Sequence, residues 1–113
     1  MAAVIDLSLD QGATWIQTFI WQDVDEVPFD LSTHTARAQI RSRYADDDVG
    51  GPAASIVGET FADGRVVLAL SDVETAAIHR GRYYYDVEVM SSGGFVTRLV
   101  QGRLTVLGEV TRG

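Results

Sequence analysis

Apolar and polar residues alternate with period two over most of the chain, the pattern of strands with one face buried. It is clearest from Gly81 to Val106, GRYYYDVEVMSSGGFVTRLVQGRLTV. In the first arm Tyr83, Tyr85, Val87 and Val89 share one face, while Arg82, Asp86 and Glu88 take the other with Tyr84 and Met90. Ser91, Ser92, Gly93 and Gly94 supply residues that tolerate positive φ, so the two arms read as a long hairpin.

Earlier segments follow the same rule. Val4–Leu9 alternates Ile5, Leu7 and Leu9 against Asp6, Ser8 and Asp10, with a turn at Gln11 and Gly12. Thr14–Trp21, TWIQTFIW, is aromatic and β-branched on both faces, which predicts a strand covered on both sides. Asp23–Glu26 reads as an acidic turn and Pro28–Leu31 as a short extended piece, before Thr35–Arg43 turns Ala36, Ala38 and Ile40 inward and Arg37, Gln39 and Arg41 outward. Asp46–Pro52, DDDVGGP, combines like charges with Gly and Pro and reads as a mobile loop. Ala54–Gly58 and Arg65–Leu70 are two further strands.

The period changes after Leu70. Ser71 and Glu74 have capping-box spacing, so Asp72–His79 is predicted as a short helix, with Gly81 placed to end it. The fold class that follows is all-β: an immunoglobulin-like antiparallel β-sandwich of about seven strands, with one short helix before the penultimate strand. Gly81-Arg82-Tyr83 sits where such domains place a tyrosine corner.

The last strand poses a register problem. Val96, Val100, Leu104 and Val106 share one parity, Phe95 and Leu99 the other. A β-bulge at Gln101–Gly102 resolves it by burying Phe95 and Leu99 before the bulge and Leu104 and Val106 after it, which leaves Val96, Arg98 and Val100 facing outward. Those three, with Tyr84 on the outer face of the neighbouring strand, are the candidate protein interface, because exposed apolar residues and tyrosine mark such surfaces.

Composition narrows the function classes. At 113 residues, 46% apolar and 22% charged, the chain 1–113 reads as one domain with a modest core. Nine arginines, no lysine and sixteen acidic residues give a net charge of −7, so nucleic acid is not an expected partner. No apolar run approaches the roughly 20 residues that span a bilayer, and no signal-peptide pattern opens the chain, so the expectation is a soluble protein without a membrane partner. There is no cysteine for a disulfide or a thiolate metal site.

Catalytic chemistry finds no constellation. His34 and His79 are the two histidines, distant in sequence, and no nucleophile elbow, zinc-binding helix or phosphate loop is present. His79 reads as a helix-end residue and His34 as a loop or strand-start residue. The acidic groups Asp23, Asp25, Glu26 and Asp46, Asp47, Asp48 match no EF-hand, and solvated loops are preferred to calcium sites. Trp15, Phe19, Trp21 and Tyr83–Tyr85 are better read as core than as a ligand-stacking platform, with Tyr84 the exception. No catalytic residue, cofactor or metal is expected.

Four stretches carry a further likeness: LSLDQGATW, DLSTHTARAQIR, LSDVETAAIHRGRYYYDVEV and the closing TRLVQGRLTVLGEVTR. From Val4 to Arg112 the chain resembles small structural proteins of tailed bacteriophages. It is similar to the immunoglobulin-like domains of phage tails and baseplates, including the N-terminal domain family of baseplate upper proteins. The resemblance implies a non-enzymatic virion protein, assembled in the host cytoplasm, whose partners are other virion proteins in a symmetric oligomer. Those larger proteins continue into a stalk or fibre domain, so an adaptor or assembly component of the tail, baseplate or fibre-attachment apparatus is expected here. A capsid decoration protein is the alternative, and a carbohydrate-binding module contacting the host surface a more distant one.

Overall fold

A computed structural model describes residues 3–42 and 53–108. The chain forms β1 (Ala3–Val4), β2 (Leu7–Asp10), β3 (Trp15–Ile20), β4 (Thr35–Arg41), β5 (Ala54–Thr60), β6 (Arg65–Leu70), the helix α1 (Asp72–Ala76), β7 (Gly81–Met90) and β8 (Val96–Leu107). Hydrogen bonding runs in the order β1–β8–β7–β4–β5–β6–β3, with β2 also on β8. The sheet curls into two layers at β5, which pairs with β4 up to Gly58 and with β6 from Glu59. The result is an all-β, immunoglobulin-like sandwich with its short helix before the penultimate strand. The predicted loop over Asp46–Pro52 lies outside the described residues.

Alternation builds the core as the sequence implies. Ala36, Ala38 and Ile40 of β4, Val66, Leu68 and Leu70 of β6, Tyr85, Val87 and Val89 of β7, and Val100, Leu104 and Val106 of β8 point between the layers. Each large aliphatic side chain placed there contributes about 1.5–3 kcal/mol. The outer face of β3 departs from expectation: Ile16 and Ile20 are 64% and 58% exposed, because no layer lies over it among the described residues.

A helix as short as α1 has little stability of its own, so its contacts explain it. Ser71 Oγ accepts from the Glu74 N–H and the Glu74 carboxylate accepts from the Ser71 N–H, the predicted capping box. Thr75, fully buried, donates through its hydroxyl to the Ala13 carbonyl and accepts from the Gly12 N–H. Gln11 donates to the Ile78 carbonyl at 2.6 Å. The helix thereby clamps the β2–β3 turn. It is shorter than predicted, with its C-cap at Ala77, and Gly81 opens β7 instead of ending the helix. The tyrosine corner is present: the Tyr83 hydroxyl donates to the His79 carbonyl, four residues upstream, at 2.6 Å.

All ladders are antiparallel except those at one edge, where β1 and β2 run parallel to β8. They are one edge strand interrupted by a kink at Ile5 and Asp6. Asp6 Oδ1 accepts from the Arg103 N–H, and the Ile5 N–H donates to the Gln101 carbonyl.

Candidate interface

The four candidate residues do not share a surface. Val87 pairs with Val100 and Glu88 with Arg98, so Leu99 is the extra residue of a bulge in β8. The parity switch that the sequence requires therefore exists, but it falls at Leu99 and not at Gln101–Gly102. Gly102 stays in regular register opposite Tyr85 and serves another purpose. A Cβ there would lie 2.1 Å from the Ile5 carbonyl oxygen, so the glycine admits the edge kink against the strand.

The bulge turns Val100 inward, where it is 2% exposed, and corrects its assignment to the interface. Phe95, predicted as core, precedes β8 in the hairpin loop and is 80% exposed. Leu99 is half-buried. Val96 and Arg98 face outward beside Met90 and Glu88, and Tyr84 lies half-buried on the same outer face, flanked across the ladders by Arg41 and Arg103.

That outer face is mostly a charged lattice. Arg37 Nε meets Glu88 Oε1 at 2.9 Å, Arg98 Nε approaches Asp86 Oδ2 at 3.5 Å, and Arg98 also donates to Gln101 Oε1 at 3.2 Å. Burial, followed by repulsion from Glu88, raises the Asp86 carboxyl above its usual range; the Arg98, Arg41 and Arg37 guanidinium groups oppose the shift without cancelling it. At 3.5 Å the Arg98 guanidinium stands too far from the carboxylate to reverse the effect of burial.

Six of the exposed apolar residues lie at one end of the sandwich, while others, such as Val57 and Val73, stand singly elsewhere. The register places the end of β3 beside the start of β6, and the start of β4 beside the end of β7 and the start of β8. At this end the β7–β8 hairpin carries Met90, Phe95 and Val96, and the β3–β4 connection carries Val24, Val27 and Phe29, with Val24 98% exposed. The hairpin tip is held by Ser91: its N–H donates to the Phe95 carbonyl, its hydroxyl accepts from the Phe95 N–H, and its carbonyl accepts from Gly94, which adopts the left-handed conformation. Sequence reasoning assigned Phe95 to the core because its parity matched Leu99; the turn glycines immediately before it are the signal for a loop-tip position.

The other candidate groups have local roles. Asp23 Oδ1 accepts from the Asp25 and Val27 N–H groups, which commits that carboxylate to closing its own turn. Asp46–Asp48 lie outside the described residues, and no cluster of three potential metal ligands occurs among the described ones. Trp15 and Trp21 are half-buried at the rim of the core, Trp21 with Phe29 at a centroid distance of 4.7 Å. His79 follows the helix and His34 precedes β4; His34 Nδ1 is buried without a hydrogen-bond partner among the described residues.

Along the side of the sandwich, β3 and the beginning of β8 border an open cleft of about 710 Å³, with Ile5, Phe19, Leu99 and Arg98 in its walls. Among the described residues no helix is long and apolar enough to cross a membrane.

The chain matches no protein-family model and no curated protein. Among solved structures it is similar to CopC from Methylosinus trichosporium OB3b, with 20% identity over 69% of this chain and 67% of that one and a TM-score of 0.39. It is also similar to an uncharacterized protein from Bacillus anthracis str. Ames, with 12% identity over 96% of this chain and 85% of that one and a TM-score of 0.45. Likenesses at this level assign neither partner nor activity.

Proposed function

We propose that this chain is a non-enzymatic building block of a tailed-phage virion, an adaptor or assembly component of the tail, baseplate or fibre-attachment apparatus. The observation that carries a contact role is one end of the sandwich, where the β7–β8 hairpin exposes Met90, Phe95 and Val96 and the β3–β4 connection exposes Val24, Val27 and Phe29. Side chains of this kind on a rigid hairpin and its neighbouring loop suit burial against another protein. The virion context is supported by the four phage-like stretches, two of which form α1 with β7 and the long strand β8. Partners on this reading are other virion proteins, and the work of the chain is shape and repeated contact.

Mass spectrometry of purified virions of a phage carrying this coding sequence tests the reading. The protein is expected in the particle at a copy number that is a small multiple of the tail symmetry, and Phe95→Ser with Val96→Ser is expected to prevent incorporation without unfolding the domain. Absence from the particle overturns the proposal. Hundreds of copies would place the chain on the capsid as a decoration protein instead.

A further inference from the structure

We infer that two copies of this chain pair through the free edge of β3, antiparallel about a two-fold axis at Thr18. The inference concerns the isolated chain and does not rest on the virion reading.

β3 is the last strand of its layer, with β6 as its one ladder neighbour among the described residues. The Trp21 N–H donates to Gly64 of the β6 side, and hydrogen-bonding direction alternates along a strand. Trp15, Gln17 and Phe19 therefore aim their backbone groups at β6, while Ile16, Thr18 and Ile20 aim theirs at the open side. The strand itself lacks the usual sequence protections, and its edge opens on the cleft that it shares with Ile5 and the start of β8. From Thr14 to Gln22 there is no charge, proline or glycine, whereas edge strands in monomers are commonly blunted by one of these. The opposite edge is blunted: β1 is two residues long, the strand is kinked at Ile5–Asp6, and β2 ends in Asp10.

The identity of the occupant is written in the strand. WIQTFIW is nearly palindromic about Thr18. Antiparallel pairing with a second copy sets Trp15 opposite Trp21, Ile16 opposite Ile20, Gln17 opposite Phe19 and Thr18 opposite itself. The two exposed isoleucines of each copy then cover those of the other, and the tryptophans at the rim of each core meet at the ends of the new ladder. An isologous interface requires this self-match, which an arbitrary partner strand does not supply. Charge permits it as well: in a chain of net charge −7, this register sets Asp23 opposite Ala13, and between those two positions no two acids face each other.

The test uses the full chain in sedimentation equilibrium and reads register as well as mass. Wild type is expected to form a dimer of the 12.3 kDa chain. Ile16→Lys with Ile20→Lys sets like charges opposite one another at both isoleucine pairs and is expected to give a folded monomer. Ile16→Lys with Ile20→Glu sets opposite charges across the same pairs and is expected to restore the dimer. Because the natural chain has no cysteine, Thr18→Cys introduces a single thiol, and the self-opposed position falls within disulfide reach, so it is expected to cross-link under mild oxidation faster than Ser32→Cys. A wild type that stays monomeric to millimolar concentration overturns the inference. So does a dimer that both double variants leave intact, or one in which Thr18→Cys cross-links no faster than Ser32→Cys.

Discussion

The hydroxyl of Tyr85 donates to the carbonyl of Ile5, joining the middle of β7 to the kink in the N-terminal edge strand across the intervening β8. The contact passes Gly102, which stands opposite Tyr85 and has no side chain to keep the Ile5 carbonyl away. Three residues distant in sequence thus form one unit: a buried ring, a missing Cβ and a bent edge.

Gly102→Ala is expected to be the most damaging small substitution in β8. The new methyl would sit 2.1 Å from a backbone oxygen that has no rotamer to escape into, so the edge strand must detach. A loss of about 2–4 kcal/mol is expected from urea unfolding. Gly94→Ala is the control: nothing lies within 4 Å of its added methyl, and only the left-handed backbone resists, at about 1–2 kcal/mol. Equal losses for the two would show that close approach at position 102 does not matter.

Tyr85→Phe removes the same link from the other side. It retains the buried ring and withdraws the donor from the Ile5 carbonyl, for an expected loss of about 1–2 kcal/mol. Hydrogen exchange should localise the change to β1 and the amides of β8 that face it. An unchanged exchange rate at Ile5 would count against this account.

Ser71→Ala should cost about 0.5–2 kcal/mol by opening the capping box. Its effect is expected to spread to Gly12 and Ala13, since Thr75 binds both. Chemical-shift changes confined to α1 would show that the helix does not clamp the β2–β3 turn.

Asp86 gives a pH dependence of definite sign. Its carboxyl is raised in the folded state, chiefly by burial and then by Glu88, so the folded protein holds this proton more tightly than the unfolded chain. Ionising Asp86 therefore lowers stability, and the loss develops as pH rises from the ordinary value of 3.8 through the raised one. Asp86→Asn is expected to gain on wild type over that interval, with a constant difference above it. Paired unfolding curves from roughly pH 3 to 7 measure this; a difference that shrinks as pH rises would contradict it.

Much of the fold was legible in the sequence because β-sandwiches are built on local alternation. Ala36–Ile40, Val66–Leu70 and Tyr83–Val89 declare their inner faces, and Ser71 with Glu74 declares the helix start. Legibility failed where two segments far apart share one constraint. The phase of β8 cannot be read from FVTRLVQGRLTV alone, since what reserves Gly102 is the Ile5 carbonyl. The bulge then falls at Leu99, and Val100 moves from the expected interface to the core. Likewise, nothing within TWIQTFIW tells that its outer face is uncovered; that depends on no further layer lying over β3 among the described residues.

The parallel pairing of β1 and β2 with β8 also sets an order of events during synthesis. Their partners run from Val100 to Leu107, so β1 and β2 wait unpaired until nearly all of the described chain has been made. A local pair such as β5–β6 can close as soon as it is made, whereas this join must bridge almost the full length of the described chain and comes late. The nascent chain therefore exposes Leu7 and Leu9 during translation, and Asp6, Ser8 and Asp10 between and beside them keep that waiting segment in water.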